Sequence, residues 1–288
     1  MIVIIGSVVV LMSVLGGYVL AGGHIGNLLH ISELIIIGGA ALGALVVMSP
    51  AKVLKDMVHQ IMAALKGTPY SKAAYEDLLK ALYELFLLAR RNGMIALEEH
   101  VLNPQTSSIF SKYPSFVNNA EALEFLCSAL RPVIDGKIKP DQLKMLMDIE
   151  LESMEEEHYA PVSVLSKTAD AMPGFGIVAA VLGIVITMAA ISGPIEEIGH
   201  KVAAALVGTF LGILLGYGFL NPLAVNLEFN GQAKAAYLRC IASAVVGFSS
   251  GMAPIMAVEM ARRGLNSDVK PTAEELEKML KGVGQTKG

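Results

Sequence analysis

Residues 171–227 read AMPGFGIVAAVLGIVITMAAISGPIEEIGHKVAAALVGTFLGILLGYGFLNPLAVNL, and this stretch decides the fold. From Ala171 to Ile195, and again from Val202 to Leu227, it holds no Asp, Glu, Lys or Arg; only EEIGHK (196–201) stands between the two runs. Each run meets the roughly 18–20 residues that a helix needs to cross a ~30 Å hydrocarbon core. Further out, Met1 to Ser32 and Leu34 to Ala51 are equally free of these residues and are parted by Glu33 alone. Four apolar runs therefore fall as two pairs, with about 120 residues of charged sequence between the pairs.

Composition agrees with that layout. Hydrophobic residues make up 54% of the chain and charged ones 17%, and the mean hydropathy is +0.58, values of a polytopic membrane protein rather than an average soluble domain. Of the 22 Lys and Arg, 13 lie between Lys52 and Lys167 and eight from Lys234 onward, leaving only Lys201 elsewhere. Basic residues beside spans are retained in the cytoplasm, so the central block and the tail are assigned inside, with residues 23–33 and 192–201 outside. The ends are assigned accordingly, N-terminus outside (periplasmic) and C-terminus inside (cytoplasmic). The first run lacks the basic start of a signal peptide and is read as a retained span.

The expected class is an all-α, polytopic integral membrane protein with four transmembrane helices and a helical cytoplasmic domain. Its parts are spans one and two (1–50), a cytoplasmic helical domain (51–170), spans three and four (171–227) and a cytoplasmic helical tail (228–288). Within the soluble parts, Ser71 is placed to cap a helix with Tyr75, Leu78, Leu79, Leu82, Leu85 and Phe86 on one stripe, ending at Asn92-Gly93. Met94–Leu102 reads as a short helix, 103–114 as a loop, and Asn119 as the cap of a helix reaching about Arg131. A longer helix opens at Lys139-Pro140-Asp141 with the stripe Leu143, Leu146, Met147, Leu151 and Met154. The tail continues helically from Lys234 to about Arg263, and Thr272 with Glu275 forms a capping-box pattern.

Several functions are excluded by what the residues lack. The basic residues form no nucleic-acid-binding cluster. Cys127 and Cys240 are single and far apart, which argues against a disulfide and against a metal site, and no catalytic motif or cofactor-binding motif occurs. No enzyme chemistry is expected.

What remains is in the spans. Gly208, Gly212 and Gly216 recur every four residues in the fourth, and Gly38, Gly39 and Gly43 lie in the second, a pattern that lets helix backbones approach closely in lipid. Pro173 and Pro222 fall at the cytoplasmic ends of the third and fourth spans. Two ordinary helix-end prolines and a paired hinge are both open on spacing alone. Thr209 is the deepest polar residue of the fourth span, with Tyr217 nearer the inside and Thr187 in the third. Glu33 is placed at an interface, so no span is expected to hold an ionisable residue in its interior. A relay of ions through the membrane usually rests on such groups. A carboxylate supplied by another chain is then required, and the protein reads as one half of a channel.

These residues also carry a resemblance. The segments MIVIIGSVVVLMSVLGGYVLAGG (1–23), ARRNGMIALEEHV (89–101), MPGFGIVAAVLGIV (172–185), LVGTFLGILLGYGFLNPLA (206–224) and PIMAVEMARRG (254–264) resemble the MotA family of flagellar stator subunits. The resemblance implies a homo-pentamer around a dimer of MotB, whose membrane Asp binds the ion, and contact with the rotor protein FliG. It implies that Arg90, Glu98 and Glu150 act on the rotor, that Pro173 and Pro222 couple ion passage to movement, and that Ala180 and Thr209 line the ion path, to which Tyr217 is added. Sodium-driven relatives tend to carry Thr where this chain has Ala180, so the transported ion is expected to be the proton rather than sodium. An energising subunit resembling ExbB or TolQ is the alternative, and a sodium-driven stator subunit a further one. On the residues alone, Arg90 also fits the edge of a helix stripe and Glu98 a local ion pair.

Overall fold

The computed structural model describes residues 2–189 and 191–283 of the chain. Every regular element among them is helical. In chain order these are α1 (Ile2–Leu20), α2 (Ile31–Met48), α3 (Ala51–Lys66), α4 (Lys72–Asn92), α5 (Glu98–Leu102), α6 (Pro114–Val117), α7 (Ala120–Ile134), α8 (Pro140–Ala189), α9 (Ile195–Leu215), α10 (Asn221–Ser249), α11 (Pro254–Arg263) and α12 (Ala273–Val283). Four runs are long and apolar enough to cross a membrane: 2–20, 25–48, the apolar part of α8, and the helical run beginning at Ile195. The protein is an all-α, multi-pass membrane protein.

The chain divides into two compact units, Met1–Gly67 with Glu157–Asn230, and Thr68–Glu156 with Gly231–Gly288. In the first, α1 buries no residue and α2 buries only Glu33, Ile37 and Ala41, one stripe at i, i+4, i+8. That stripe packs with Met172 and Ala179 of α8 and, more loosely, with Phe175 and Leu211. Amphipathic α3 sets Met57 and Ala64 against Val162, Leu165, Ala224 and Leu227. Polar clasps secure this collar: Lys52 Nζ pairs with Glu157 Oε1 at 2.8 Å, Gln60 Nε2 donates to His158 O at 3.1 Å, and His158 Nε2 lies 3.0 Å from Leu227 O.

The second unit is built around α4, whose Leu78, Leu79, Leu82, Leu85 and Phe86 are fully buried. Phe86 stacks on Phe248 with ring centroids 4.3 Å apart, and the Tyr237 hydroxyl donates to Ala74 O at 3.3 Å. Helix ends follow the local chemistry read from the sequence. Ser71 Oγ accepts from Ala74 N–H, Asn119 Oδ1 from Ala122 N–H, and Gly93 closes α4 at φ 86°, a left-handed value open to glycine. Thr272 and Glu275 exchange the two hydrogen bonds of a capping box.

The structure departs from expectation in five places. The tail is not helical throughout, because Gly251 at φ 87° ends α10 and Pro254 opens α11 at its first turn, where its missing N–H costs nothing. Leu146, expected in the core stripe of α8, is 54% exposed; the buried residues are Leu143, Met147 and Leu151, a strict four-residue repeat. The 103–114 segment is a packed arch rather than an open loop: Phe110 is fully buried, and Ser107 Oγ meets His100 Nδ1 at 2.8 Å and accepts from the N–H groups of Ile109 and Phe110. α7 runs on past Arg131 through Pro132 to Ile134. Finally, α1 and α2 are two candidate spans before Ala51, and two crossings would return the chain to the side on which it began. An N-terminus outside and a segment from Ala51 inside are therefore inconsistent with each other across two spans.

Candidate functional site

Small residues at four-residue spacing are what position the site. Gly208 and Gly212 of α9, and Gly216 just beyond its end, face α8 so closely that no side chain fits. A Cβ on Gly212 would lie 2.6 Å from Met172 O and 2.8 Å from Gly176 Cα; one on Gly216 would lie 2.7 Å from Ala169 O. From the other side, a Cβ on Gly176 would meet Gly208 O at 2.9 Å, and one on Gly183 would meet Ala205 Cβ at 2.8 Å. Backbone against backbone maximises dispersion contact where lipid supplies no hydrophobic driving force. The glycines of the second span behave differently: Cβ atoms on Gly38, Gly39 and Gly43 would meet nothing within 4 Å. The expectation that these too bury against other helices does not hold within this chain.

The candidate ion-path residues Ala180 and Thr209 both edge this seam. Ala180 N lies 3.4 Å from where a Gly208 Cβ would be, and Thr209 Cα 3.2 Å from where a Gly176 Cβ would be. Both are half-buried. The Thr187 hydroxyl is returned to its own helix, donating to Gly183 O at 2.8 Å, whereas Thr209 makes no side-chain hydrogen bond among the described residues.

At its other end the seam meets the prolines. Pro173 lies inside α8, which runs on unbroken, and its Cδ lies 3.4 Å from the Cβ position of Gly216. Gly216 opens a π-helical turn, Gly216–Leu220, that joins α9 to α10. Pro222 explains the wide turn: it has no N–H for the carbonyl four residues back and its ring crowds that carbonyl, and a π-turn relieves both. Pro222 itself is exposed, and Tyr217 within the turn is 54% exposed. The structure thus brings Ala180, Thr209, Pro173 and the turn before Pro222 onto one helix pair, with Tyr217 of that turn largely exposed.

Glu33, read from the sequence as an interface residue, is enclosed by its own chain. It is 5% exposed and belongs to the buried stripe of α2. Its Oε2 lies 3.1 Å from the Gly208 Cβ position, where Ala179 Cβ and Ala180 N also converge. Ser32 Oγ reaches Oε1 at 3.5 Å, and Oε2 has no hydrogen-bond partner. The first pair of spans therefore delivers a carboxylate into the seam. Only the stripe with Ile37 and Ala41, four and eight residues on, could have signalled this in the sequence, and Glu33's place beside the loop obscured it.

The three charged positions assigned to the rotor lie in the second unit and are all solvent-facing. Arg90 ends α4, Glu98 begins α5 around the turn at Gly93, and neither makes an ion pair among the described residues, so the local pairing considered for Glu98 does not occur. Glu150 stands on the outer side of α8; partial desolvation, then the like charge of Glu124, raises its carboxyl above the ordinary value.

Comparison with known proteins places this geometry in context. A family model described as Motility protein A N-terminal matches residues 4–93, and one described as the MotA/TolQ/ExbB proton channel family matches residues 118–234. The chain is 40% identical to Motility protein A of Salmonella typhimurium, over 98% of this chain and 96% of that protein. It is 37% identical to the Chemotaxis protein LafT of Vibrio parahaemolyticus, over 96% and 97%. The fold is similar to that of solved MotAB from C. jejuni, with a TM-score of 0.77 at 23% identity over 92% of this chain and 96% of that one.

Proposed function

We propose that this chain, which belongs to the motility protein A (MotA) family, is a flagellar stator subunit that surrounds the membrane helices of a MotB-type partner and turns inward proton flow into torque on the rotor. The observation that carries this reading is the single seam on which Ala180, Thr209 and Pro173 lie, ending at the π-turn before Pro222. A close-packed helix pair that is rigid along its glycines and deformable at one proline-relieved turn can transmit a change beside Ala180 and Thr209 toward the soluble segment. Binding of the partner follows from what is uncovered: α1 has no fully buried residue and leaves Ile4, Ile5, Val8, Val9, Leu11 and Met12 exposed, and the Gly38, Gly39 and Gly43 face of α2 is open. Those surfaces suit neighbouring copies in a ring, a homo-pentamer around a MotB dimer by the family resemblance.

Proton rather than sodium follows from Ala180, whose methyl offers no oxygen ligand. Arg90, Glu98 and Glu150 provide charged, solvent-facing contacts for the rotor protein FliG. The bacterial inner membrane is the expected location, with the lysine- and arginine-rich segments in the cytoplasm; by parity the N-terminus then lies there too. No bond is made or broken in this mechanism. The match over residues 4–93 favours a stator over an ExbB- or TolQ-like energising subunit.

The test is ion flux into proteoliposomes holding the chain alone or with a MotB-type partner lacking its plug, under a proton and then a sodium gradient. Proton flux that needs the partner, and is lost when the partner's membrane Asp becomes Asn, is expected. Flux from the chain alone would overturn the half-channel reading; sodium flux with the partner would overturn the choice of ion.

A further inference from the structure

We propose that Glu33 is a proton-binding station within this chain, set between the outer cleft and the seam at Ala180; the inference rests on the proton-channel reading above. A carboxylate inside a helix bundle is costly unless it is paired or neutral. Glu33 is 95% removed from solvent by neighbours of its own chain, and among the described residues no Lys, Arg or His supplies it with a partner. Its position is specific. The carboxylate converges with Gly208, Ala179 and Ala180, and Ala180 stands midway between Ala171 and Ala189 in the apolar part of α8. Gly208 lies about 10 Å farther along α9 than Lys201, at 1.5 Å per residue. Glu33 is therefore one of the few groups at this depth able to hold and release a proton.

A route to it is present. Between the start of α2 and the start of α9 lies an open cleft of about 560 Å³, lined by His30, Glu196, Glu197, His200, Lys201 and Ala204. His30, the residue just before α2, is three residues from Glu33, and Ala204 is one helical turn from Gly208 on α9. The titratable groups around the cleft are His30 on the α2 side and Glu196, Glu197, His200 and Lys201 on α9, with Glu197 and Lys201 paired at 2.7 Å. α8 contributes none between Ala171 and Ala189. The ligand that fits is the proton and not a metal cation. Around the carboxylate stand a glycine, two alanines and one hydroxyl at 3.5 Å, whereas a bound metal cation requires several oxygen ligands.

The test uses the complex of this chain with an unplugged MotB-type partner in proteoliposomes. Glu33→Gln keeps the shape and removes the acid, and Glu33→Asp keeps the acid on a shorter arm. At equal amounts of assembled complex, Glu33→Gln should lower proton flux about a hundredfold, the loss typical of one acid–base group, with Glu33→Asp falling between it and the parent. An apolar carbodiimide, which modifies protonated carboxyls shielded from water, should label Glu33 in the parent chain, as read by peptide mass spectrometry. Parent-like flux through an assembled Glu33→Gln complex overturns the station and leaves the channel reading standing. Absence of flux through the parent complex overturns the channel reading, and the station with it. If Glu33→Gln fails to assemble, the labelling decides: an unlabelled Glu33 in the parent complex overturns the proposal.

Discussion

Glu33 and Glu259 are both carboxylates shielded by their own chain, and the two units treat them in opposite ways. Glu259, in the soluble unit, accepts two hydrogen bonds from Arg262 at 2.7 Å and a third from Arg263 at 2.9 Å. Glu33, in the membrane unit, has an oxygen with no donor among the described residues. The packing differs in the same sense. The soluble unit interlocks large side chains around Phe86, Leu126 and Tyr237, while the membrane unit brings backbones together at Gly176, Gly208, Gly212 and Gly216. Water explains the contrast. Where apolar burial is rewarded, volume is buried and a shielded carboxylate such as Glu259 is paired; in lipid, closeness of approach does the holding, and the enclosed acid is left without a cation.

The sharpest way to break this comparison is to delete volume in the soluble unit. Phe86→Ala removes a fully buried ring stacked on Phe248 and should destabilise that unit by about 3–5 kcal/mol. Hydrogen exchange of peptides from residues 74–92 and 237–249 should speed up accordingly, while peptides from α9 keep their parent rates. The membrane unit should fail by the opposite change. Gly212→Val adds bulk where even a Cβ would lie 2.6 Å from Met172 O, and is expected to cost about 3 kcal/mol by overpacking. It should lower the detergent melting temperature and the amount of assembled complex; a parent-like melt would show that the seam does not hold the pair together.

A smaller effect separates the two carboxylates. The hydrogen bonds from Arg262, joined by Arg263, hold the Glu259 carboxyl at about 2, below its ordinary 4.5. Because the folded value is depressed, the stabilisation is full above about pH 4.5 and is lost as pH falls toward 2. Full linkage over that shift is about 3 kcal/mol at neutral pH, and solvent screening of these partly exposed pairs reduces it to about 1–2 kcal/mol. Glu259→Gln should abolish this part of the acid sensitivity, measured as the stability difference between pH 6 and pH 3 in urea titrations. An unchanged difference would show that the pairs with the two arginines contribute nothing.

The sequence conveyed these units unequally. Spans, caps and the α4 stripe were legible because each rests on a local rule: charge-free length, a hydroxyl or amide three residues before the N–H it caps, an apolar residue every third or fourth position. The glycine seam was half legible. Spacing showed that Gly208, Gly212 and Gly216 permit close approach, but the same spacing at Gly38, Gly39 and Gly43 leads to open space, since spacing does not say which helix comes near. The enclosure of Glu33 was not legible for a related reason: its burial is made by α8 and α9, some 150 residues away in the chain. The π-turn was visible only as Pro222, because where a helix absorbs a missing hydrogen bond depends on its packing.

The smallest expected effect sharpens the comparison most. Gly39 has the residue type of the seam but no neighbour within 4 Å of its Cβ position, so Gly39→Ala should shift the stability of the isolated chain by no more than about 0.5 kcal/mol. The same substitution should matter to assembly if the open face of α2 is covered by another chain, because a methyl group there widens a helix contact. Detergent melting and native mass spectrometry separate the two effects. An unchanged melt with loss of the oligomer would assign this second glycine face to a neighbouring subunit, whereas an unchanged oligomer would leave it facing lipid. A lowered melt of the isolated chain would mean that Gly39 is already packed within it, and that the contrast with Gly212 is false.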